Sequence, residues 1–322
     1  MILFLIFTNI FRILEMVFKQ KINQVFDPVH PGSIALFRIL FGIILIIEAS
    51  IVEDYFIQTL PQSKFFMTYD YFHWLPAASS EQFKVLFFVF YTCCTLVILG
   101  LFYRIAMIGV FLLWTYFLLV DMGFYNNHFY LFSLIAFLMC FNHANAWFSI
   151  KKWMKGKSWQ PRIPKWELGI LKFQVGVVFV YAGLVKINGD WLAGYPIRMW
   201  MLNATDSRSM NDFLSSEIMV YFFSYGGLIF DLAIVFLLLS KRISVKLIGV
   251  GLSLIFHLIN FYLWSIGMFP IFALSLIVLF FKPSWPQSVL NWIGNKKLNE
   301  PTIFLGKRIF SGFARKLFFM LI

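Results

Sequence analysis

In the stretch FVYAGLVKINGDWLAGY, residues 179–195, an apolar run from Ile170 to Leu184 ends at a single amine, Lys186. The chain then turns through Asn188 and Gly189 to Asp190 and Trp191. A lysine at such a place is either an anchor reaching for water or a working base. An apolar setting without a carboxylate partner disfavours the ammonium and leaves an amine able to take a proton. A base must also come within hydrogen-bond reach of the proton it removes, which a neighbouring imidazole and amide can help to arrange. Asn126, Asn127 and His128 form one such cluster. His257 and Asn260, three residues apart and therefore on one helical face, form another.

Two carboxylates, Glu48 and Asp231, fall inside apolar runs. A carboxylate at mid-bilayer costs about 2.5 to 3.5 kcal/mol on insertion scales, so each is expected to be paired, protonated or water-lined. Arg38 is one conceivable partner for Asp231, in a structural role. Taken singly, each polar residue reads as a packing contact, a helix cap or an interfacial group. Their convergence at one depth would make a site, and that depends on the elements that carry them.

Those elements are membrane helices. Of 322 residues, 61% are hydrophobic and only 13% charged, with 42 Phe. A span needs roughly 20 mostly apolar residues, and the chain offers many such runs. The net charge of +12 does not point to nucleic acid, because the cations gather in short connections on one side of successive spans. Cys93, Cys94 and Cys140 all lie in apolar runs, so neither a structural disulfide nor a metal site is expected.

Residues 1–33 are expected to form an uncleaved interfacial helix and a turn, DPVHPGS, in which Pro28, Pro31 and Gly32 block a continuous helix. Eight spans follow within residues 34–286: Ile34 to Val52, Phe83 to Tyr103, Ile105 to Val120, His128 to Phe148, Leu168 to Lys186, Ile218 to Leu239, Leu247 to Leu263 and Met268 to Phe281. An inner turn is expected at Arg104. The basic segment KKWMKGKSWQPRIPKWE is the strongest inner-side signal, and the loop Ile187 to Glu217, richer in acids than bases, is expected outside. Residues 287–322 read as a basic amphipathic tail on the inner leaflet. The fold class is therefore an all-α polytopic transmembrane bundle of about eight spans with amphipathic ends. Both termini would lie in the cytoplasm of a cell whose plasma (inner) membrane holds the chain. Asn127, His128, Lys186, His257 and Asn260 would then share the extracytoplasmic side.

Four separated stretches carry a family resemblance: DPVHPGSIALFRILFGIILIIEA, GLFYRIAMIGVFLLWTYFLLVDMGFYNNHFYLFSLIAFLMCF, VYAGLVKINGDWLAGY, and FHLINFYLWSIGMF followed by KPSWP. Together, over about Asp27 to Pro286, they resemble the membrane portion of the vitamin K-dependent gamma-glutamyl carboxylases. The resemblance implies an enzyme that takes reduced vitamin K or a related quinol, with O2 and CO2 as co-substrates and no metal. It would oxidise the quinol to an epoxide and carboxylate a peptide glutamate. By the same resemblance Lys186 deprotonates the quinol, His128 with Asn127 assists the chemistry, and His257 and Asn260 match a further H-x-x-N pattern. Asp190, Trp191 and Glu48 are added as candidates for the substrate or quinone pocket. The partners implied are membrane lipid and a secreted glutamate-containing peptide.

The chain departs from the vertebrate pattern at Val185, where a second lysine is usual, and at Asn188, where an acid is usual. The residues after Pro286 show no counterpart of the large extramembrane region that holds the protein substrate. The resemblance therefore supports the quinol half of the chemistry better than the glutamate half. Two other readings stay open: a protein of the same fold that helps mature or export a secreted peptide without carboxylation, and a transporter or receptor, for which intramembrane polar groups are equally expected.

Overall fold

The computed structural model describes residues 23–293 other than 64–66, 156–159, 203 and 265. The helix expected over residues 1–18 and the tail beyond residue 293 lie outside the described residues. Among the described residues ten helices carry the bundle: α1 Gly32–Asp54, α2 Ser80–Leu99, α3 Tyr103–Val120, α4 Asn127–Cys140, α5 Ile150–Lys155, α6 Trp166–Val185, α10 Glu217–Leu239, α11 Ile243–Leu263, α12 Phe269–Leu276 and α13 Trp285–Ile293. Three short helices, α7 Gly189–Leu192, α8 Tyr195–Met201 and α9 Arg208–Leu214, lie between α6 and α10. Six of the described helices are long and apolar enough to cross a membrane: α1 with its continuation to Gln62, α2, α3, α6, α10 and α11.

The fourth span is shorter than the sequence suggests, and the eighth, close to its expected bounds, is too short to cross a membrane as one straight helix. The fourth, α4, has 14 residues, about 21 Å at 1.5 Å per residue, against a hydrocarbon core of about 30 Å. It stops at Cys140 and not at Phe148. The side chain of Asn142 accepts the Tyr103 hydroxyl at 2.7 Å and the Ala144 N–H at 3.1 Å, which draws the chain into a turn. The eighth, α12 with the 3-10 turn Ile277–Phe280, bends by 90° into α13.

Local signals explain other boundaries. A capping box starts α2 at Ser80, three residues before the expected start: the Gln82 N–H donates to Ser79 Oγ at 3.4 Å and the Ser79 N–H to Gln82 Oε1 at 2.8 Å. Gly100 ends α2 in the left-handed region, φ 70°. The reversal therefore falls at 100–102, and Arg104, expected to mark the turn, lies in the first turn of α3.

The surface, not the apolar core, departs from the soluble pattern. Large apolar side chains such as Phe88, Ile105 and Ile229 are exposed around the bundle, as lipid-facing groups should be, while Arg38, Glu48, Glu167, Asp231 and His257 are buried. Where lipid is as apolar as the interior, helix association rests on close packing. Phe272 of α12 supplies some of it, with its ring 4.7 Å from Phe132 of α4 and 5.7 Å from Phe41 of α1. Helices α1 to α4 form one side of the bundle, and α10, lying between α6 and α11, organises the other. A two-residue antiparallel ladder, Pro28–Val29 with Ile163–Pro164, ties the entrance of α1 to that of α6.

Arg38 is fully buried at this entrance end and donates to the Phe148 carbonyl, so it is not the partner of Asp231. Glu167, also buried, accepts from the His143 N–H at 2.7 Å and meets its Nδ1 at 2.6 Å.

Candidate functional site

Lys186 follows the last residue of α6, and its side chain runs back along its own helix. Nζ donates to the Ala182 carbonyl at 3.4 Å and forms an ion pair with the Asp231 carboxylate of α10. This corrects the expectation that the lysine has no carboxylate partner. The contact needs the two helices to come unusually close, and Gly183 allows it: a Cβ there would stand 2.6 Å from Leu232 Cδ2 and 3.2 Å from the Leu232 nitrogen. Asp231 lies 14 residues past Glu217, so the pair sits about 21 Å along α10 from its first residue. An anchor that reaches for water extends in the opposite direction.

The segment expected as an outside loop covers this pair. Trp191 lies with its ring centroid 4.9 Å from Lys186 Nζ, a cation–π contact. It is clamped to α10 by two bonds, its indole N–H donating to the Ser224 carbonyl at 2.9 Å and its carbonyl accepting the Ser224 hydroxyl at 2.5 Å. Ser224 is seven residues into α10, about 10 Å from its start, so α7 and α8 dock along the helix and not beyond it. Asn188 caps α7 by accepting the Trp191 N–H at 2.9 Å. Indoles continue the wall: Trp191 to Trp200 and Trp200 to Trp264, each pair 6.0 Å apart.

The two histidines meet on another residue. The Phe269 ring lies 5.6 Å from His128 and 6.2 Å from His257. His257 is also faced by Phe256, Phe230 and Phe179 at 5.3, 6.0 and 6.2 Å, and among the described residues its buried Nδ1 has no hydrogen-bond partner. Phe230 precedes Asp231 and Phe179 belongs to the helix that ends at Lys186, so the aromatic cage of His257 and the ion pair share α6 and α10. No hydrogen bond or ring contact joins Lys186 directly to His128 among the described residues.

Glu48 orders the approach to Phe269. Only 1% exposed, it accepts the Met268 N–H at 2.7 Å and packs against Gly267, whose φ of 59° suits glycine. The carboxylate thereby caps the entry to α12, and no cation lies within ion-pair distance of it among the described residues.

Among the described residues the other candidates make no hydrogen bond or ring contact with the ion pair or with the His257 ring. Asn127 is exposed and accepts the Tyr125 hydroxyl at 3.2 Å. Asn126 caps α4 through the His128 N–H. Asp190 is exposed on α7, and Asn260 is half-buried with its carbonyl accepting the Trp264 N–H at 3.1 Å. Asp231, Ser224 and Phe269 join the site only through the folded arrangement. For Asp231 a signal is present in the sequence, a carboxylate inside IFDLAIVF, but sequence gives no measure of its separation from Lys186 across two helices.

An all-α integral membrane bundle, with a buried ion pair on one side of an aromatic cage and two histidines about it, defines the class of protein. Residues 26–285 match the HTTM domain, and the chain belongs to that family, the membrane domain of the gamma-carboxylase family that its motifs resemble. No solved structure matches the chain.

Proposed function

We propose that this protein is a gamma-carboxylase-like membrane enzyme that binds a lipid-soluble quinol, reduced vitamin K or a relative, between Lys186 and His257 and removes its hydroxyl proton. The observation that carries the reading is the inward turn of Lys186 onto Asp231. Support for a quinol comes from the apolar aromatic surroundings that Phe179, Phe230, Phe256 and Phe269 give His257, and from the unpartnered Nδ1 of His257, which suits one oxygen.

When bound, such a quinol would supply, in its reaction with O2, a base stronger than any side chain, which is what removal of a glutamate γ proton ahead of attack on CO2 requires. The protein's part is to manage the first proton. Within the pair, the ammonium of Lys186 can pass a proton to the Asp231 carboxylate, giving an amine beside a carboxylic acid. The amine then takes the quinol hydroxyl proton and returns to ammonium, so that the pair gains one proton in total and no charge is left uncompensated in the apolar bundle. Trp191, clamped by Ser224, closes over the ammonium and limits water. His128 contacts the same Phe269 ring as His257.

The test is epoxide formation from vitamin K hydroquinone by the purified protein, with wild type active and Lys186→Ala inactive while folded. Undiminished epoxide from the variant refutes the assignment. Mass analysis of secreted proteins from cells with and without this chain tests the glutamate half, since each carboxylated residue gains the mass of one CO2. Maturation or export without carboxylation leaves those masses unchanged.

A further inference from the structure

At the opposite end of α6 from Lys186, ammonium groups from two helices converge on one residue. Lys172 of α6 brings Nζ to 5.9 Å from the centroid of the Phe280 ring, and Lys246 in the first turn of α11 donates to the Phe280 carbonyl. Lys165, just before α6, adds a third cation, and its charge and that of Lys246 both oppose that of Lys172. Among the described residues no carboxylate is in ion-pair contact with any of the three: the described ion pairs involve other residues, and Glu167, in the first turn of α6, is committed to His143. Lys172 and Lys246 are both half-buried. A carbonyl and a ring face can orient an ammonium but cannot neutralise it, and like charges held together in a partly apolar corner call for an anion.

The surroundings indicate what kind of anion. Lys172 lies 14 residues before Lys186, about 21 Å along the helix, in the layer where α6 and α11 begin and the 3-10 turn ends. Exposed apolar side chains flank it, Phe173 on α6 and Leu247 and Ile248 on α11. An ammonium has three N–H donors, and Lys246 uses one on the Phe280 carbonyl. A phosphate group offers several oxygens to which the two lysines can donate while a hydrocarbon chain lies along the apolar flank. We propose that this corner is a binding site for the phosphate of an anionic phospholipid, separate from the Lys186 site, with Lys172 and Lys246 as its donors and Lys165 adding charge at its rim.

The test uses the full chain in nanodiscs of phosphatidylcholine alone, of phosphatidylcholine with phosphatidylglycerol, and of phosphatidylcholine with inorganic phosphate added. Native mass spectrometry reads retained phosphatidylglycerol and Tm reads stabilisation. Wild type is expected to retain the anionic lipid and gain Tm from it. The double variant Lys172→Met, Lys246→Met is expected to lose retention about tenfold, the loss of charge-assisted hydrogen bonds, whereas Lys241→Met with Arg242→Met keeps it. Stabilisation by phosphate alone that the double variant loses supports the same site with a free phosphoryl anion as its source. Should the double variant fail to fold, Lys172→Gln alone is expected to reduce retention. Equal retention by wild type and the folded variants, or no preference of wild type for either anion, overturns the proposal.

Discussion

The Lys186 ammonium doubles back past Ala182 to meet the Asp231 carboxylate, so the amine that closes α6 faces a neighbouring helix within the bundle. Its side chain is 18% exposed and that of Asp231 only 6%. Breaking such a pair by removing one partner leaves a buried charge uncompensated, at a cost of about 3 to 5 kcal/mol, whereas replacing both by apolar groups is often neutral. Lys186→Met is therefore expected to lower Tm, and Lys186→Met with Asp231→Leu to recover it. Both are expected to lose epoxide formation by a factor on the order of 10² to 10⁴, the contribution of a positioned proton transfer. Thermal melts and epoxide assays on the two variants, and on Asp231→Leu alone, separate stability from chemistry.

Gly183 sets the distance between α6 and α10. A methyl group added there would lie 2.6 Å from Leu232 Cδ2 and 3.2 Å from the Leu232 backbone nitrogen, so Gly183→Ala must displace Leu232 and is expected to ease the helices apart. Overpacking of this kind costs about 1 to 3 kcal/mol. The expected outcome is a lower Tm with a larger fall in epoxide formation, because the ion pair is lengthened. Gly176, where a Cβ would meet Val235 Cγ1 at an ordinary 3.5 Å, serves as the control on the same helix, and Gly176→Ala is expected to leave both measurements near wild type.

Phe269 contacts both histidines, and Glu48 holds the turn that delivers it. Phe269→Ala is expected to raise the KM for quinol more than it lowers kcat, as removal of a binding wall should. Glu48→Ala leaves the Met268 N–H without its acceptor, at about 1 to 3 kcal/mol, and is expected to lower Tm and raise the same KM. Glu48→Gln keeps an acceptor and is expected to fall between Glu48→Ala and wild type.

His30, in the turn before α1, gives a pH dependence. Burial, then the charge of Arg162, lowers its pKa from 6.5 to about 4, and its Nδ1 accepts the Gly32 N–H at 3.0 Å. The unfolded chain takes up a proton near 6.5 while the folded chain holds the imidazole neutral to about 4. Between these values the unfolded state binds the extra proton, so stability falls as pH drops through that window and is level above it. The loss reaches up to about 3 kcal/mol at 1.36 kcal/mol per pKa unit. His30→Asn keeps an acceptor for Gly32 and removes the titration. Melts at pH 7.5 and 4.5 are expected to differ less for this variant than for wild type.

The helical membrane bundle was legible because hydrocarbon imposes a length and a composition that can be counted. IALFRILFGIILIIEASIV and LGILKFQVGVVFVYAGLV can be little else. Turn boundaries were less so: Gly100 and the Asn142 side chain displaced two of them through backbone conformation and a single hydrogen-bonding group, neither of which alters hydropathy. Asn127 and His128 are adjacent in sequence and similar in polarity, but the first turn of α4 points one outward and the other inward.

Sequence alone determined that the chain is an α-helical membrane protein and which of its polar residues were costly enough to require a reason. Burial of a charge in an apolar span has a penalty that composition already reveals. Tertiary structure alone decided how that penalty is met. Lys186 and Asp231 are 45 residues apart, and only the close passage of α6 over α10 at Gly183 makes them partners. The same holds for His128 and His257, brought to one ring by α12, because the rotation of a helix about its axis is set by packing against its neighbours and not by its own hydropathy.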